Sequence, residues 1–400
     1  MKKNKFIINS LLNIISTVIP LLVLQIVLLP LISRRIPEHE YGAALTVISL
    51  LNILPGVFAI ALNNVRLLKN NLVKNNHVFN NVLFRLLIIN IFLVLLSTVI
   101  FENRFGITTI LTVFLSVIWL LREYYLVEFQ LILDYKKILL NNLLLTTGYF
   151  IGYLLFYATS NWQMVYITGY IFSLFHIYYT TKINFVSATV KEEIIYVQNE
   201  TFLLSGATLL IRITSYADRL ILFPLMGGKV VAIYYAATIL AKVISMGINP
   251  ISGVMLAYLS KMKNYSKKTL NMFIIMTSFI CFIGYFVVVI ISKYILVYLY
   301  PQFYHQAMEL IPYTTIATLM YVFISVLNPI ILKMFAMRWQ MIINGSNAIL
   351  YIFLTLIGLK SYGIIGFCIG IMISNIIKII QMLLLYFWGN ESSKPINKLN

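Results

Sequence analysis

Long apolar runs recur along the whole chain, and each is about as long as a membrane-spanning helix. An α-helix needs about 20 apolar residues to cross the hydrocarbon core of a bilayer. By this criterion the pattern predicts twelve helices, at 7–32, 42–64, 82–101, 107–131, 139–158, 162–181, 201–226, 231–256, 270–291, 310–332, 341–359 and 362–388. Because the number of spans is even, both termini should lie on the same side of the membrane.

The composition agrees with this interpretation and excludes a water-soluble globular protein. Of the 400 residues, 61% are hydrophobic and 10% are charged, whereas soluble domains contain about half apolar and about a quarter charged residues. Spans of about 20 residues leave only short connections, so the chain has no room for a sizeable soluble domain. The predicted fold class is an all-α integral membrane protein with about twelve transmembrane helices.

The chain is strongly basic, with 30 Lys and Arg against 12 Asp and Glu and a net charge of +18. In a soluble protein this excess would favour nucleic acid as a partner, but in a membrane protein it is typical of cytoplasmic loops. With the N-terminus placed in the cytoplasm, 20 basic residues fall in cytoplasmic segments and 6 in outer segments. This bias predicts cytoplasmic termini and no nucleic-acid partner.

A long polar connection between spans six and seven divides the chain into two halves. It predicts an N-terminal six-helix bundle at 1–181, a cytoplasmic linker at 182–200 and a C-terminal six-helix bundle at 201–400. Paired six-helix halves are common in secondary transporters, where the substrate site lies between them. We therefore expect the two bundles to surround a central cavity.

A weak internal similarity supports this division. A shift of 194 residues aligns Pro30 with Pro224 and Tyr41 with Tyr235, at the first and second spans of each half. We interpret these matches as the trace of an internal duplication.

Span seven carries polar residues at a spacing of three and four, which places them on one side of a helix. The set is Ser205, Thr208, Arg212, Ser215 and Arg219. A charged side chain near the bilayer centre costs about 2.5–3.5 kcal/mol on insertion scales, so two arginines should not face lipid. We expect a cationic stripe facing a hydrated, anion-binding cavity; the alternative is a structural pairing of the arginines.

Neighbouring positions add further candidates. Lys242 in span eight supplies a third cation, and Asp218 is predicted to be a counter-ion, with a proton or sodium coupling site as the alternative. Uncharged polar residues would contact the cargo, or else form interhelical hydrogen bonds worth about 0.6 kcal/mol each. These candidates are Asn9, Asn13, Gln25, Thr208, Ser215, Tyr216, Ser245 and Asn249.

Signals of enzyme chemistry are absent from the sequence. It contains no Walker-type glycine loop, no Cys or His pair at metal-binding spacing and no glycine-flanked nucleophilic serine, so we expect no catalysis, cofactor or metal. Arg122, Glu123 and Glu128 lie near the inner end of span four and are interpreted as gate or surface residues that pair along the helix. His176 is interpreted as snorkelling to the cytoplasmic interface.

Three stretches resemble a known family. They are Arg34-Arg35-Ile36-Pro37-Glu38-His39-Glu40-Tyr41-Gly42, Tyr216-Ala217-Asp218-Arg219-Leu220-Ile221-Leu222 followed by Gly227-Gly228 and Ile233-Tyr234-Tyr235, and Phe129-Gln130 before Asp134-Tyr135-Lys136. In these stretches the chain resembles bacterial O-antigen and capsule repeat-unit flippases of the multidrug/oligosaccharidyl-lipid/polysaccharide exporter superfamily. It departs from that pattern in having Arg-Ile-Pro where Leu-Gly is usual before Tyr41.

The resemblance implies alternating access and transfer of an undecaprenyl-pyrophosphate-linked oligosaccharide to the outer leaflet of the bacterial cell membrane. Arginine binds phosphate through paired hydrogen bonds, so Arg212, Arg219 and Lys242 are the predicted pyrophosphate ligands. The implied partners are the lipid-linked oligosaccharide, membrane lipids, and the polysaccharide polymerase and glycosyltransferases of surface polysaccharide biosynthesis.

Three alternatives stay open at this point. A cation-coupled multidrug exporter of the same fold would favour acidic cavity residues, whereas spans seven and eight carry one acid and three bases in their interiors. A membrane glycan polymerase or ligase would favour a large outer loop, but the longest predicted outer connection is 292–309. A non-transporting membrane scaffold is the third.

Overall fold

The structure of the protein is a computed structural model that describes residues 3–69, 77–102, 105–181, 191–261, 267–335 and 337–388. Within these ranges the chain forms twelve helices and no strand, and the all-α integral membrane class is confirmed. Each predicted apolar run lies within one of these helices, apart from a few end residues.

The helices are numbered in chain order. α1 consists of Lys3–Leu22, a π-helical turn at Val23–Leu28, and Leu29–Ser33. The next nine are α2 Glu38–Lys69, α3 His77–Glu102, α4 Ile107–Leu131, α5 Tyr135–Thr159, α6 Gln163–Thr181, α7 Lys191–Met226, α8 Gly228–Lys261, α9 Lys267–Leu299 and α10 Tyr304–Met334.

The last two helices are the arms of one long helical segment. Met337–Trp388 breaks at Tyr362 and Gly363, where Gly363 has a φ of 59°. Glycine adopts this left-handed conformation without steric cost, which lets the chain turn sharply between two spans. The arms, 337–361 and 364–388, are called α11 and α12.

The protein is a multi-pass membrane protein. Among the described residues, eight helical segments are long and apolar enough to cross a bilayer, and a bent pair in α7 makes nine. α9 is the most exposed of them, since 6% of its apolar window is buried. That surface is apolar, as expected for a helix in contact with lipid.

α7 begins earlier than the sequence pattern predicted. The predicted start is residue 201, but the helix begins at Lys191, so residues 191–200 of the predicted linker are helical; residues 182–190 lie outside the described residues. Ile194 and Val197 in this extension are buried in the core of the first unit. Their spacing of three suits an amphipathic helix, which a search for long apolar runs does not detect.

The chain divides into two compact units, Met1–Ala232 and Ile233–Asn400, which are described separately. In the first unit α2 packs against α4 and α7, and α5 packs against α1 and α6. In the second unit α10 packs against α9 and against the helical segment Met337–Trp388. The predicted division into bundles at 1–181 and 201–400 stays a prediction.

Candidate functional site

The two arginines of α7 lie in different surroundings. Arg212 is half-buried and makes no ion pair or hydrogen bond with any residue in the described ranges. Arg219 is 7% exposed, and its Nη1 donates to the Oγ of Ser49 on α2 over 2.9 Å. Seven residues separate the two positions, which is about 10 Å along a helix axis. No described residue thus engages the donors of Arg212, whereas Arg219 links α7 to α2.

Asp218 and Tyr216 lie beside Arg219. Asp218 is 5% exposed, and its Oδ1 accepts the backbone N–H of Arg219 at 2.9 Å. The Tyr216 ring centre lies 5.8 Å from the guanidinium carbon of Arg219, within cation–π range. The structure thus brings these three predicted site residues together, while the counter-ion and coupling roles of Asp218 stay predictions.

The remaining polar residues of α7 are not equally buried. Ser205 is 6% exposed, Thr208 is half-buried and Ser215 is exposed. The Thr208 hydroxyl donates to a carbonyl of its own helix at 2.8 Å. α7 bends by 52° between Glu192–Leu210 and Arg212–Met226, so residues spaced for one straight stripe meet different surroundings.

The polar residues of α1 lie on both sides of a proline. Asn13 is exposed, and Gln25 is half-buried within the π-helical turn. Pro20 lies between them. The side chain of Asn9 lies outside the described residues. A π-helical turn is frequent at functional sites, which adds weight to Gln25 as a candidate.

The candidates of α8 belong to the second unit. Lys242 is half-buried, and its carbonyl accepts the hydroxyl of Ser245 at 2.7 Å. The side chain of Asn249 lies outside the described residues. The joint action of Lys242 with the arginines of α7 therefore stays a prediction.

A buried charged cluster that the sequence interpretation missed lies inside the first unit. Arg122 on α4 is 6% exposed and does not lie on the surface. Its Nη1 donates to the Oε1 of Glu123 at 2.5 Å, and its Nε donates to the Oγ of Ser173 on α6 at 3.1 Å. Its Nη2 donates to the Oδ1 of Asn142 on α5. One guanidinium thus joins α4, α5 and α6.

Two asparagines of α5 complete this cluster. Asn141 donates its Nδ2 to the carbonyl of Ser173 at 2.8 Å and approaches the Nδ1 of His176 at 3.2 Å. Asn142 donates its Nδ2 to the carbonyl of Ser16 on α1 at 2.9 Å. His176 thus contacts the cluster through one ring nitrogen, and its snorkelling stays a prediction. Asn and Ser are ordinary residues of transmembrane interfaces, so sequence alone gave no signal for this site.

Glu128 does not pair along its own helix as expected. Its Oε1 accepts the Nη2 of Arg66 on α2 at 2.5 Å. The Arg66 guanidinium carbon also lies 5.3 Å from the ring centre of Tyr124 and 5.8 Å from that of Phe79. Each carboxylate of α4 thus has its own arginine, and in this pair Arg66 is buried while the Glu128 side chain is 30% exposed.

The second unit repeats one contact of the cluster. Asn347 on α11 donates its Nδ2 to the carbonyl of Ser374 on α12 at 3.1 Å, as Asn141 does to Ser173. Close glycine packing recurs at matching positions. A Cβ on Gly152 would lie 2.6 Å from the Cα of Val165, and a Cβ on Gly358 would lie 2.7 Å from the carbonyl carbon of Gly366.

The matching positions follow constant offsets. Asn141 and Gly152 of α5 correspond to residues 206 positions later in α11, and Ser173 and Val165 of α6 correspond to residues 201 positions later in α12. One coincidence of residue type is common in apolar sequence, but shared contacts at shared spacing are not. The geometry supports the internal duplication.

No group of three or more His, Cys, Asp or Glu residues in the described ranges is arranged to hold a metal ion.

No protein-family model and no curated protein matches the sequence. Solved structures match over nearly the whole chain. The lipid II flippase MurJ in an inward closed conformation matches with a TM-score of 0.69 and 14% identity, covering 96% of this chain and 86% of its own. An inward-facing multidrug resistance MATE family transporter of the MOP superfamily matches with a TM-score of 0.56 and 13% identity, covering 95% of this chain and 96% of its own. A eukaryotic MATE transporter matches with a TM-score of 0.61 and 12% identity, covering 97% of each chain.

The chain has the fold of MOP-superfamily transporters. Identities of 12–14% show that fold alone. The three matched proteins are a lipid II flippase, a multidrug resistance MATE transporter and a eukaryotic MATE transporter.

Proposed function

We propose that this protein is a flippase that moves an undecaprenyl-pyrophosphate-linked oligosaccharide repeat unit from the cytoplasmic to the outer leaflet by alternating access. The step would serve surface polysaccharide biosynthesis in a bacterial cell membrane. Both termini would be cytoplasmic, and two six-helix bundles would surround the cargo cavity. One of the similar structures is a lipid II flippase, which supports the proposal.

The observation that carries the proposal is the state of Arg212. A half-buried guanidinium in a membrane-spanning helix, with no ion pair or hydrogen bond to any described residue, has its donors available for an anion. A pyrophosphate offers oxygens that suit the arginine fork. Arg219 and Lys242 would add charge to the same site, and the uncharged candidates of α1, α7 and α8 would contact the sugars.

The test is transbilayer movement of a fluorescent undecaprenyl-pyrophosphate-linked oligosaccharide in vesicles containing the purified protein. Arg212→Ala should lower the rate by about 10–100-fold, because one charge-assisted hydrogen-bonded contact is worth about 1.5–3 kcal/mol. Its unfolding temperature should stay unchanged, since Arg212 holds no described residue. Arg212→Lys should rescue partly, because the fork is lost.

Lys293→Ala is the matched control, since this lysine is exposed on α9, and it should transport at the normal rate. Equal rates for the wild type and Arg212→Ala would reject the cationic site. The MATE matches favour a second candidate, a cation-coupled multidrug exporter. Ion-gradient-driven dye efflux without movement of the lipid-linked sugar would select that function.

A further inference from the structure

α1 contains a proline at a position where the helix is buried. In an α-helix the carbonyl of residue 16 accepts the N–H of residue 20. Residue 20 is Pro20, which has no N–H to donate. Ser16 is 0% exposed, so water does not reach its carbonyl. A buried backbone acceptor in a membrane needs a partner from the protein.

Asn142 of α5 supplies that partner. Its Nδ2 lies 2.9 Å from the carbonyl oxygen of Ser16, and Asn142 itself is 5% exposed. The side-chain amide therefore replaces the N–H that the proline lacks. This contact ties α5 to α1 at the point where the α1 hydrogen-bond ladder is interrupted.

Arg122 fixes the orientation of the Asn142 amide. A guanidinium has donors and no acceptor, so only the Oδ1 end of the amide can face it. The structure has this arrangement, with Nη2 of Arg122 donating to Oδ1 of Asn142. The NH₂ end is thereby turned toward the Ser16 carbonyl. Glu123 and Ser173 hold the guanidinium in place.

The positions that correspond to Asn142 and Pro20 in the later half of the duplication lack both parts of this arrangement. The offset that pairs Asn141 with Asn347 pairs Asn142 with Ala348, which has no donor. The helix that corresponds to α1 by the 194-residue shift is α7, and its one internal proline is Pro224, the counterpart of Pro30. The counterpart of Pro20 itself is Thr214, so neither the proline nor the amide recurs in the later half of the duplication.

We propose that Asn142, oriented by Arg122, is a positioning residue that holds α1 at the gap made by Pro20. It thereby sets the placement of Asn13 and Gln25, which flank the proline, relative to the cargo. The proposal rests on the proposed function only for this last step. The hydrogen-bond replacement itself concerns α1 and is independent of the cargo.

A double-mutant cycle tests the replacement in the full-length protein. Asn142→Asp keeps the acceptor for Arg122 but removes the amide donor to Ser16. It should lower the unfolding temperature by about 4 °C. Pro20→Ala restores the backbone N–H, so in that background Asn142→Asp should cost less than half as much. Equal losses in both backgrounds would overturn the proposal.

If Asn142→Asp alone does not accumulate in the membrane, the Pro20→Ala background should restore accumulation. Failure to restore it would also overturn the proposal. Asn142→Gln, which keeps both the donor and the acceptor on a longer side chain, should lie between the wild type and Asn142→Asp in the Pro20 background.

The position of α1 is read out by thiol labelling with a membrane-impermeant maleimide. With Cys281→Ser and Cys368→Ala as background, the reporter is Asn13→Cys on α1 and the control is Tyr298→Cys on α9, which is 75% exposed in the native residue. Asn142→Asp should change the labelling rate of Asn13→Cys several-fold and leave the rate of Tyr298→Cys unchanged, and Pro20→Ala should remove the change.

An unchanged labelling rate of Asn13→Cys would overturn the positioning role even if the flippase assay succeeds. If instead the wild type moves no lipid-linked sugar but both effects occur, the proposed function fails and the positioning role stands.

Discussion

Three helices are linked in each unit, α4, α5 and α6 in the first and α10, α11 and α12 in the second, and each set of three is called a joint. The two joints share two kinds of contact, which are called the shared frame, and differ in a third. In both joints an asparagine amide donates a hydrogen bond to a serine carbonyl of the next helix, and in both a glycine lies in close contact with the backbone of that helix. In the first unit Arg122 attaches the third helix. In the second, Asn375 attaches it with a neutral amide that donates to the carbonyl of Ala317 at 3.1 Å.

The difference shows which part of the joint folding requires. A neutral amide suffices to join three helices in the second unit, so a buried guanidinium is not needed for that purpose. Placing a charge inside a membrane bundle is costly. Its presence in the first unit coincides with Pro20 of α1, whose counterpart in α7 is Thr214, and its effect should be sought there.

The largest expected effect comes from removing the charge. Arg122→Leu removes the donors to Glu123, Ser173 and Asn142 together, and hydrogen bonds to a charged group are worth about 1.5–3 kcal/mol each. Asn375→Leu in the second unit should cost about 0.6 kcal/mol, as single interhelical hydrogen bonds do. Denaturant unfolding in detergent measures both variants. Similar losses would show that the two joints are energetically alike.

The glycine contacts should respond equally in both units. Gly152→Ala and Gly358→Ala force a methyl group into the facing backbone, and overpacking costs about 1–3 kcal/mol. Gly345→Ala on α11 is the control, because an added Cβ there meets no atom within 4 Å and alanine favours the helix by about 1 kcal/mol. The same unfolding experiment compares the three. A loss confined to one unit would contradict a shared frame.

The smallest effect is expected at the shared amide of the second unit. Asn347→Leu removes one hydrogen bond and should cost about 0.6 kcal/mol. Asn141→Leu should cost more, because the Asn141 Oδ1 also accepts the Ser173 hydroxyl at 2.7 Å. Unfolding free energies of both variants, measured in one detergent, test the order. The reverse order would mean that the cluster around Arg122 compensates for the lost amide.

The helices and their number follow from hydrophobic length alone, because the bilayer sets the length of every span. The start of α7 was wrong because Lys191, Glu192 and Glu193 are polar, while the residues that anchor this extension are two buried apolar positions, Ile194 and Val197. An amphipathic extension carries its signal in periodicity and not in mean hydropathy.

Charged residues of the candidate site could be found from the sequence, because a charge inside a membrane span is costly. Their hydrogen-bond partners could not, because those partners lie on helices distant in sequence. Arg212 and Arg219 stand out in sequence because arginine is rare in spans. The surroundings of Arg122 do not, since its acceptors are Asn142, 20 residues away, and Ser173, 51 residues away. Glu128 was assigned to its own helix because its partner, Arg66, lies 62 residues away.

The π-helical turn of α1 explains an otherwise irregular choice of inward-facing side chains. Ser16 and Leu28 are both 0% exposed, whereas Val27 is 39% exposed. At about 100° per residue, a regular helix would align Val27 with Ser16 and leave Leu28 rotated about 120° away. A π-helical bond spans one extra residue, which delays the rotation by about 100° and brings Leu28 to within about 20° of Ser16. The C-terminal end of α1 thus regains the angular phase of its N-terminal end.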